Sequence, residues 1–152
     1  MKDVLTYSLQ YQKGAWVLHM LRNYVGEDNF RKGIRNYYKK YYNSTTTTNQ
    51  FKTEMEVVSG MNLDTFFDQW LYKGGNMVLS GNWKFDQKKG RIEVNLNQVQ
   101  NDGYLFEMPI ELGISYNDKN LEKIQTVKLE KEKGRFYIAS NSKPISIKID
   151  PN

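Results

Sequence analysis

One histidine and a few spaced carboxylates are the side chains in this 152-residue chain with the plainest capacity for chemistry. A zinc site of the H-E-x-x-H type needs two histidines at i and i+4 on one helix face. His19 is the sole histidine, and Met20-Leu21-Arg22-Asn23 follow it, so it starts no such motif. Lying between Leu18 and Met20 in an amphipathic run, it reads as a partly buried, hydrogen-bonded structural residue. Asp64 and Asp68 are four apart and share a helix face. Such a pair can bind a metal or divide acid–base work; here it reads as a solvated face, with Asp64 also favourable near a helix N-terminus. Glu54 and Glu56 are two apart and point to different faces. No cysteine is present, which excludes disulfides, cysteine nucleophiles and thiolate ligands. There is no G-x-S-x-G and no Walker loop. Neither Gly33 nor Gly74-Gly75 follows a predicted strand and opens a helix, so neither makes a phosphate cradle.

The segment from Arg31 to Tyr42 interleaves cations with aromatics, a pattern that can bind single-stranded nucleic acid. Helical spacing argues otherwise. Phe30, Ile34, Tyr37, Tyr38 and Tyr41 share one side, with Arg31, Lys32, Arg35 and Lys39 mostly opposite. That is a core helix with a basic exterior, and no nucleic-acid partner is expected. The net charge of +5 is spread along the chain. Residues 1–75 hold 10 basic and 7 acidic side chains, and residues 76–152 hold 12 and 10, so neither half is strongly basic. No stretch is long and apolar enough to span a membrane. No signal peptide is visible, and the compartment stays open; the leader of an exported parent would lie upstream.

The elements that must carry these residues fall into two kinds. Ala15, Leu18, Leu21 and Val25, widened by Trp16, Val17 and Met20, give a first helix an apolar face that Gly26 ends. Glu27-Asp28-Asn29 opens a second, running to about Tyr42. Thr47 and Gln50 form a capping box for a third, with Phe51, Met55 and Val58 inward and Ser59-Gly60 as its stop. Asn62 caps a fourth, carrying Phe66, Phe67, Trp70 and Leu71, which Gly74-Gly75 break. After Gly75 the period becomes two. Ile92, Val94 and Leu96 alternate with polar residues as a half-buried strand. Further strands are expected near Val78–Ser80, Trp83–Asp86, Phe106–Tyr116, Gln125–Glu130, Phe136–Ile138 and Ile145–Ile149. Turn signals at Lys89-Gly90, Asn101-Asp102-Gly103, Asn117-Asp118 and Lys133-Gly134 separate them. The fold class is therefore α+β: an N-terminal helical segment of about four helices over residues 1–75, then an antiparallel β-sandwich domain of roughly seven strands over residues 76–152.

Tyr11-Gln12-Lys13-Gly14-Ala15 resembles the tyrosine-x-lysine-glycine-alanine motif of the aminopeptidase N family of gluzincin metallopeptidases. The similarity continues through Val17–Arg22, Val25–Phe30, Thr47–Phe51, Val58–Leu63 and Phe66–Leu71, and more weakly through Phe106–Ile110 and Ile149–Asn152. It implies that Tyr11 is a catalytic residue of the parent enzyme, its phenol donating a hydrogen bond to the oxyanion formed when zinc-bound water attacks a peptide carbonyl. A free phenol keeps its proton at neutral pH, and a preplaced donor stabilises charge that develops only in the transition state. The resemblance also implies zinc as the parent's cofactor, a peptide as its substrate and the remainder of the catalytic domain as this chain's partner. The zinc-binding H-E-x-x-H, the downstream glutamate ligand and the motif that holds a substrate's amino group do not occur in the sequence. They are expected upstream of Met1, which leaves this chain with no zinc of its own and no activity alone. Gly75-Asn76-Met77 stands where the family often has Gly-x-Pro, so the domain border is less well placed there. A helical half cut from its domain would expose apolar surface, and self-association is expected. The competing expectation is a non-catalytic module whose β half recognises a protein or glycan.

Overall fold

The computed structural model describes residues 11–116 and 122–151, with Glu122 by its backbone alone. The expected turn at Asn117-Asp118 lies outside the described residues. The chain divides into a helical unit that ends at Tyr72 and a β unit that begins at Lys73.

In the helical unit, α1 spans Lys13–Val25, α2 Glu27–Tyr41, α3 Thr48–Ser59 and α4 Asp64–Phe67, which runs on into a π-helical turn, Asp68–Tyr72. Gly26 separates α1 from α2 at φ 86°, in a region that side-chain-bearing residues avoid. The capping box on α3 is present: the Thr47 hydroxyl accepts from the Gln50 amide, and the Gln50 carbonyl oxygen accepts from the Thr47 amide at 2.8 Å. Gly60 closes the helix in the left-handed conformation at φ 68°. Asn62 does not take the expected N-cap position of α4, which Leu63 occupies without a side-chain cap; its Oδ1 accepts the Asp64 amide at 2.9 Å from one residue earlier. The core of the unit is Val17, Leu21, Val25, Met55, Leu63, Phe66 and Phe67.

Three further expectations for this unit need correction. On α1 the buried stripe is Val17, Leu21 and Val25, while Ala15, Trp16 and Leu18 are exposed. Trp16 and Leu18, two apart, leave the helix on different sides of that stripe. On α2 the one buried residue is Gly33, against Met55 and Val58 of α3; Tyr37 meets Phe51 beside it, and Tyr38 turns outward. A Cβ on Gly33 would come within 2.5 Å of Met55 Sδ and 3.2 Å of Val58 Cγ2, so the absence of a side chain sets the helix–helix approach. In the last helix, the switch to π geometry after Phe67 changes the angular step. Gln69 becomes buried and Leu71 exposed, where uniform spacing had predicted Leu71 inside.

The β unit contains β1 Leu79–Asp86, β2 Arg91–Gln98, β3 Met108–Ser115, β4 Glu122–Leu129, β5 Lys133–Ala139 and β6 Ser146–Ile149. They form two three-stranded antiparallel sheets, ordered β1-β2-β5 and β4-β3-β6. Ile92, Val94, Leu96 and Ile138 from one sheet join Ile110, Leu112, Ile114 and Leu129 from the other in a single core. Six strands are described where roughly seven were expected, because the segments around Val78–Ser80 and Trp83–Asp86 form one strand. Lys133-Gly134 is not a turn but the start of β5. Gly134 pairs with Leu96, where a Cβ would meet Leu129 Cδ1 and the Phe136 ring at 2.7 Å. That glycine serves packing, and the bend falls earlier, at Lys131-Glu132.

The inward alternation of β2 ends on a polar residue, Gln98, and its amide is fully used. Nε2 donates to the Phe106 carbonyl at 2.8 Å and to the Lys131 carbonyl at 3.2 Å. Oε1 accepts from the Phe106 amide and from Gln100 Nε2, both at 2.9 Å. A buried amide must be satisfied in this way, and here it ties the β2–β3 connection to the start of β5.

The α2–α3 approach yields a measurable expectation. Gly33→Val overfills the contact with Met55 and Val58 and should destabilise the chain by about 1–3 kcal/mol, despite valine's better helix propensity. Urea unfolding checks this. Met55→Ala in the Gly33→Val background should cost less than in the wild type. A Gly33→Val chain as stable as the wild type would refute the packing role.

Candidate functional site

Tyr11 stands at the head of α1. The backbone is already helical at Gln12, with φ −71° and ψ −52°, and Tyr11 lies in a π-helical turn just ahead of the α-helix. The helix has no side-chain cap and no acidic residue in its first turn. Its position is therefore held from the other end, by Val17, Leu21 and Val25 packed on α3 and α4. That anchoring turns the Tyr11 side chain outward, 70% exposed, toward the same outer flank as Ala15 and Leu18. A helical step of 100° places these three within one sector.

Beside this flank lies an open groove of about 390 Å³. Gly14, Val17, Leu18 and Leu21 of α1 form one wall; Tyr37, Thr46–Thr48 and Phe51 form the opposite one, and Phe67 and Leu71 line it further. The Tyr37 hydroxyl is hydrogen-bonded to the Thr46 hydroxyl at its rim. A Cβ on Gly14 would meet nothing within 4 Å, so this glycine serves no close helix contact within the described residues. Its bareness leaves the groove open next to the first turn of α1.

The other candidate residues have structural partners. His19 is exposed rather than partly buried; its Nε2 lies 3.2 Å from Asn23 Nδ2, and its ring meets the edge of Trp16. Asp64 is paired with Lys52 and accepts from Asn62 Nδ2 at 3.1 Å. Asp68 is exposed on the turn that follows, and its amide donates to the Asp64 carbonyl. Glu56 Oε1 accepts the Leu63 amide at 2.9 Å and lies 3.6 Å from Lys52 Nζ. Glu54 is buried on a different face and takes Lys40 Nζ at 2.6 Å. Hydrogen bonding to Glu54 raises the Lys40 ammonium above its ordinary range. Among the described residues no three His, Cys, Asp or Glu side chains come together as a metal would require. The described residues do not offer a zinc ion a ligand set. Nor is any described helix long and apolar enough to cross a membrane.

Lys52 had no distinguishing spacing in the sequence, yet it joins the end of α3 to the start of α4 through Glu56 and Asp64. Such a link depends on where two helices meet and leaves no periodic signal. The i,i+4 relation of Lys52 and Glu56 was the one clue.

Residues 1–70 match the peptidase family M1 domain. The chain is 30% identical over 142 residues to probable aminopeptidase 2 of Sulfurisphaera tokodaii, an alignment that covers 93% of this chain and 17% of that protein. It is 27% identical over 104 residues to aminopeptidase N of Lactococcus lactis, covering 68% of this chain and 12% of that one. Its fold is similar to that of Legionella pneumophila aminopeptidase A, solved with aspartic acid, at a TM-score of 0.80 and 18% identity over 93% of this chain and 16% of that one. The chain thus spans less than a fifth of each of these relatives.

Two carboxylates in the helical unit titrate below their ordinary range. Arg22 and then Arg31 hold Glu27 below 4.5 by hydrogen bonding, and Lys52 and then Asn62 hold Asp64 below 3.8. A carboxyl depressed in the folded state stabilises above its unfolded pKa and loses that contribution as pH falls through its folded value. The urea midpoint of the helical unit should therefore be flat from pH 7 to about 5 and fall from about pH 4.5 downward. Both groups are exposed, so the drop should be small and should shrink in high salt. Glu27→Gln with Asp64→Asn should flatten the acid limb; an unchanged limb would refute the assignment.

Proposed function

The chain belongs to peptidase family M1, and on that premise we propose that it is the C-terminal part of a zinc-dependent aminopeptidase that releases N-terminal amino acids from peptides. In this reading the helical unit through residue 75 completes the catalytic domain, and residues 76–152 form the β-sandwich domain that follows. The observation that carries it is the match of residues 1–70 to the M1 domain with Tyr11 exposed at the head of α1.

In this proposal Tyr11 is the catalytic donor. When a nucleophile adds to the scissile carbonyl, the carbonyl oxygen gains negative charge, and the Tyr11 hydroxyl donates a hydrogen bond to it. The bond is stronger to the oxyanion than to the ground-state carbonyl, so it lowers the barrier. The packing of Val17, Leu21 and Val25 keeps the donor in place, which reduces reorganisation during the reaction. Zinc in the whole peptidase supplies Lewis-acid chemistry from ligands outside this chain, and the remainder of the catalytic domain covers the outer flank of α1. Exposed Leu18, on the side of α1 next to the groove, supports that partner.

Two measurements test the proposal. In the whole enzyme, Tyr11→Phe should lower kcat by about a hundredfold or more, with zinc content and KM little changed. The isolated chain should release nothing from aminoacyl-anilides, with or without added zinc. Unchanged turnover in Tyr11→Phe would remove the donor role, and zinc-dependent hydrolysis by the isolated chain would overturn the division of labour.

A further inference from the structure

The outer face of α2 belongs neither to the core nor to the flank proposed for catalysis. Two rows of side chains run along it at i, i+4, i+8, the spacing that sets helical neighbours one above the other. Ile34, Tyr38 and Tyr42 form one row, with exposures of 37%, 65% and 62%. Arg31, Arg35 and Lys39 form the row beside it, and all three are exposed. The Tyr38 and Tyr42 rings meet edge to face, with centroids 5.5 Å apart. Toward α1 the rows open on a hollow of about 320 Å³, its apolar part Phe30 and Ile34 and its charged rim Arg22, Arg31, Arg35 and Glu27.

The expectation against a nucleic-acid partner placed Tyr38 on the core side of the helix. In the structure that ring stands in solvent, and cations flank its row. Glu27 takes both Arg22 and Arg31, which leaves a net positive charge on that trio. The side chains of Arg35 and Lys39 pair with nothing among the described residues. Asp28 and Lys32 stand one turn apart on the row beyond and offset each other. An exposed aromatic ring offers a flat face to a planar partner, and a free cation offers its charge to an anion. Here the two recur side by side, one of each per helical turn, about 6 Å apart. One ring and one phosphate per repeat is the chemistry of a single nucleic-acid strand, whose unpaired bases are free to stack. An acidic peptide supplies carboxylates but no repeated ring for the tyrosine row.

We propose that the outer face of α2 binds single-stranded nucleic acid, its bases stacking on Tyr38 and Tyr42 and its phosphates seated on Arg35 and Lys39. From Arg31 to Tyr42 the face is about 16 Å long, room for about three nucleotides at that repeat. The hollow at Phe30 and Ile34 takes the base beyond Tyr38. Stacking and phosphate contact read no base edge, so the binding tolerates any sequence. It makes no use of Tyr11 and stands independently of the peptidase reading.

The test uses this chain and labelled twelve-residue probes: oligothymidylate and oligouridylate, whose comparison distinguishes DNA from RNA, an abasic strand with the same phosphates, and oligoglutamate. Fluorescence anisotropy reads affinity across a salt series that starts at about 50 mM. The two base-bearing strands should bind at least tenfold more tightly than the abasic strand or oligoglutamate. Tyr38→Ala and Tyr42→Ala should each weaken binding about tenfold and leave the salt slope unchanged. Arg35→Gln with Lys39→Gln should lower that slope by about 0.7 per lost phosphate contact. Melting temperatures should stay near that of the wild type, and Tyr38→Leu, apolar but without a ring, serves if Tyr38→Ala does not fold. Lys133→Gln, in the β unit, should change nothing. Equal binding of the abasic strand would reduce the effect to surface charge and overturn stacking. Oligoglutamate binding as tightly as the base-bearing strands would assign the face to an acidic polypeptide instead. Wild-type affinity in both tyrosine variants, or no binding at millimolar strand, would also overturn the proposal.

Discussion

The burial of Val17, Leu21 and Val25 against Met55, Leu63, Phe66 and Phe67 is the contact on which the helical unit turns. A 13-residue helix is marginal in isolation, and α1 has neither a capping side chain nor an acidic residue at its N-terminus to compensate. Full burial of a side chain of this kind is worth about 1.5–3 kcal/mol. Three of them outweigh the missing cap, which is worth about 1 kcal/mol. What this stripe fixes is a rotation about the helix axis. With these three inward, Tyr11, Ala15 and Leu18 stay exposed along the edge of the stripe, beside the groove at Gly14.

The surface against which α1 packs is itself built on close tolerances. Gly33 lets α2 approach α3. The Lys40–Glu54 pair joins the same two helices, with the carboxylate buried and the ammonium partly in water. Leaving Glu54 unpaired would strand a buried charge, so this pair constrains the approach more than it stabilises it. Lys52 then holds α3 to the start of α4. The β unit follows a different logic. Its core comes from the inward faces of two sheets, and the buried amide of Gln98 is bonded on every side. Both units leave large apolar side chains in the open, Trp16, Val57 and Tyr38 in the helical unit and Leu105, Tyr137 and Ile145 in the β unit.

These differences explain what could be read in the sequence. Elements announced by local chemistry were legible: the Thr47–Gln50 box, the stops at Gly26 and Gly60, and the Ile92-Val94-Leu96 alternation depend on neighbours within a turn or a strand. Facing was less legible. The apolar sector of α1 is wider than its buried stripe, so periodicity could not tell whether Leu18 or Val17 lies inside; contact with α3 and α4 decides it. Tyr38 failed for a related reason, since the closest approach of α2 runs through a glycine that no hydrophobic count registers. The π turn after Phe67 shifted Leu71 outward, and Gly134 looked like a turn because glycine marks both turns and tight packing. The resemblance around Tyr11 drew attention to a residue whose local pattern is that of an ordinary aromatic at a helix start.

Exposure of Tyr11 bears on how such a donor would act. A hydrogen bond from a phenol in open water exchanges one partner for another and gains little. The same bond contributes several kilocalories to a transition state only where water is excluded and the donor already points at the developing charge. On the proposed reading, the helical unit contributes to the second condition through the stripe that orients α1. It does not supply the first, because the Tyr11 side chain is 70% exposed. The two requirements therefore separate in space: orientation comes from the core beneath α1, and desolvation from whatever packs against its outer flank. On the proposed reading, a substitution in the Val17–Leu21–Val25 stripe and one at Ala15 or Leu18 beside Tyr11 impair the same reaction by different physical routes, the first by loosening aim and the second by admitting water.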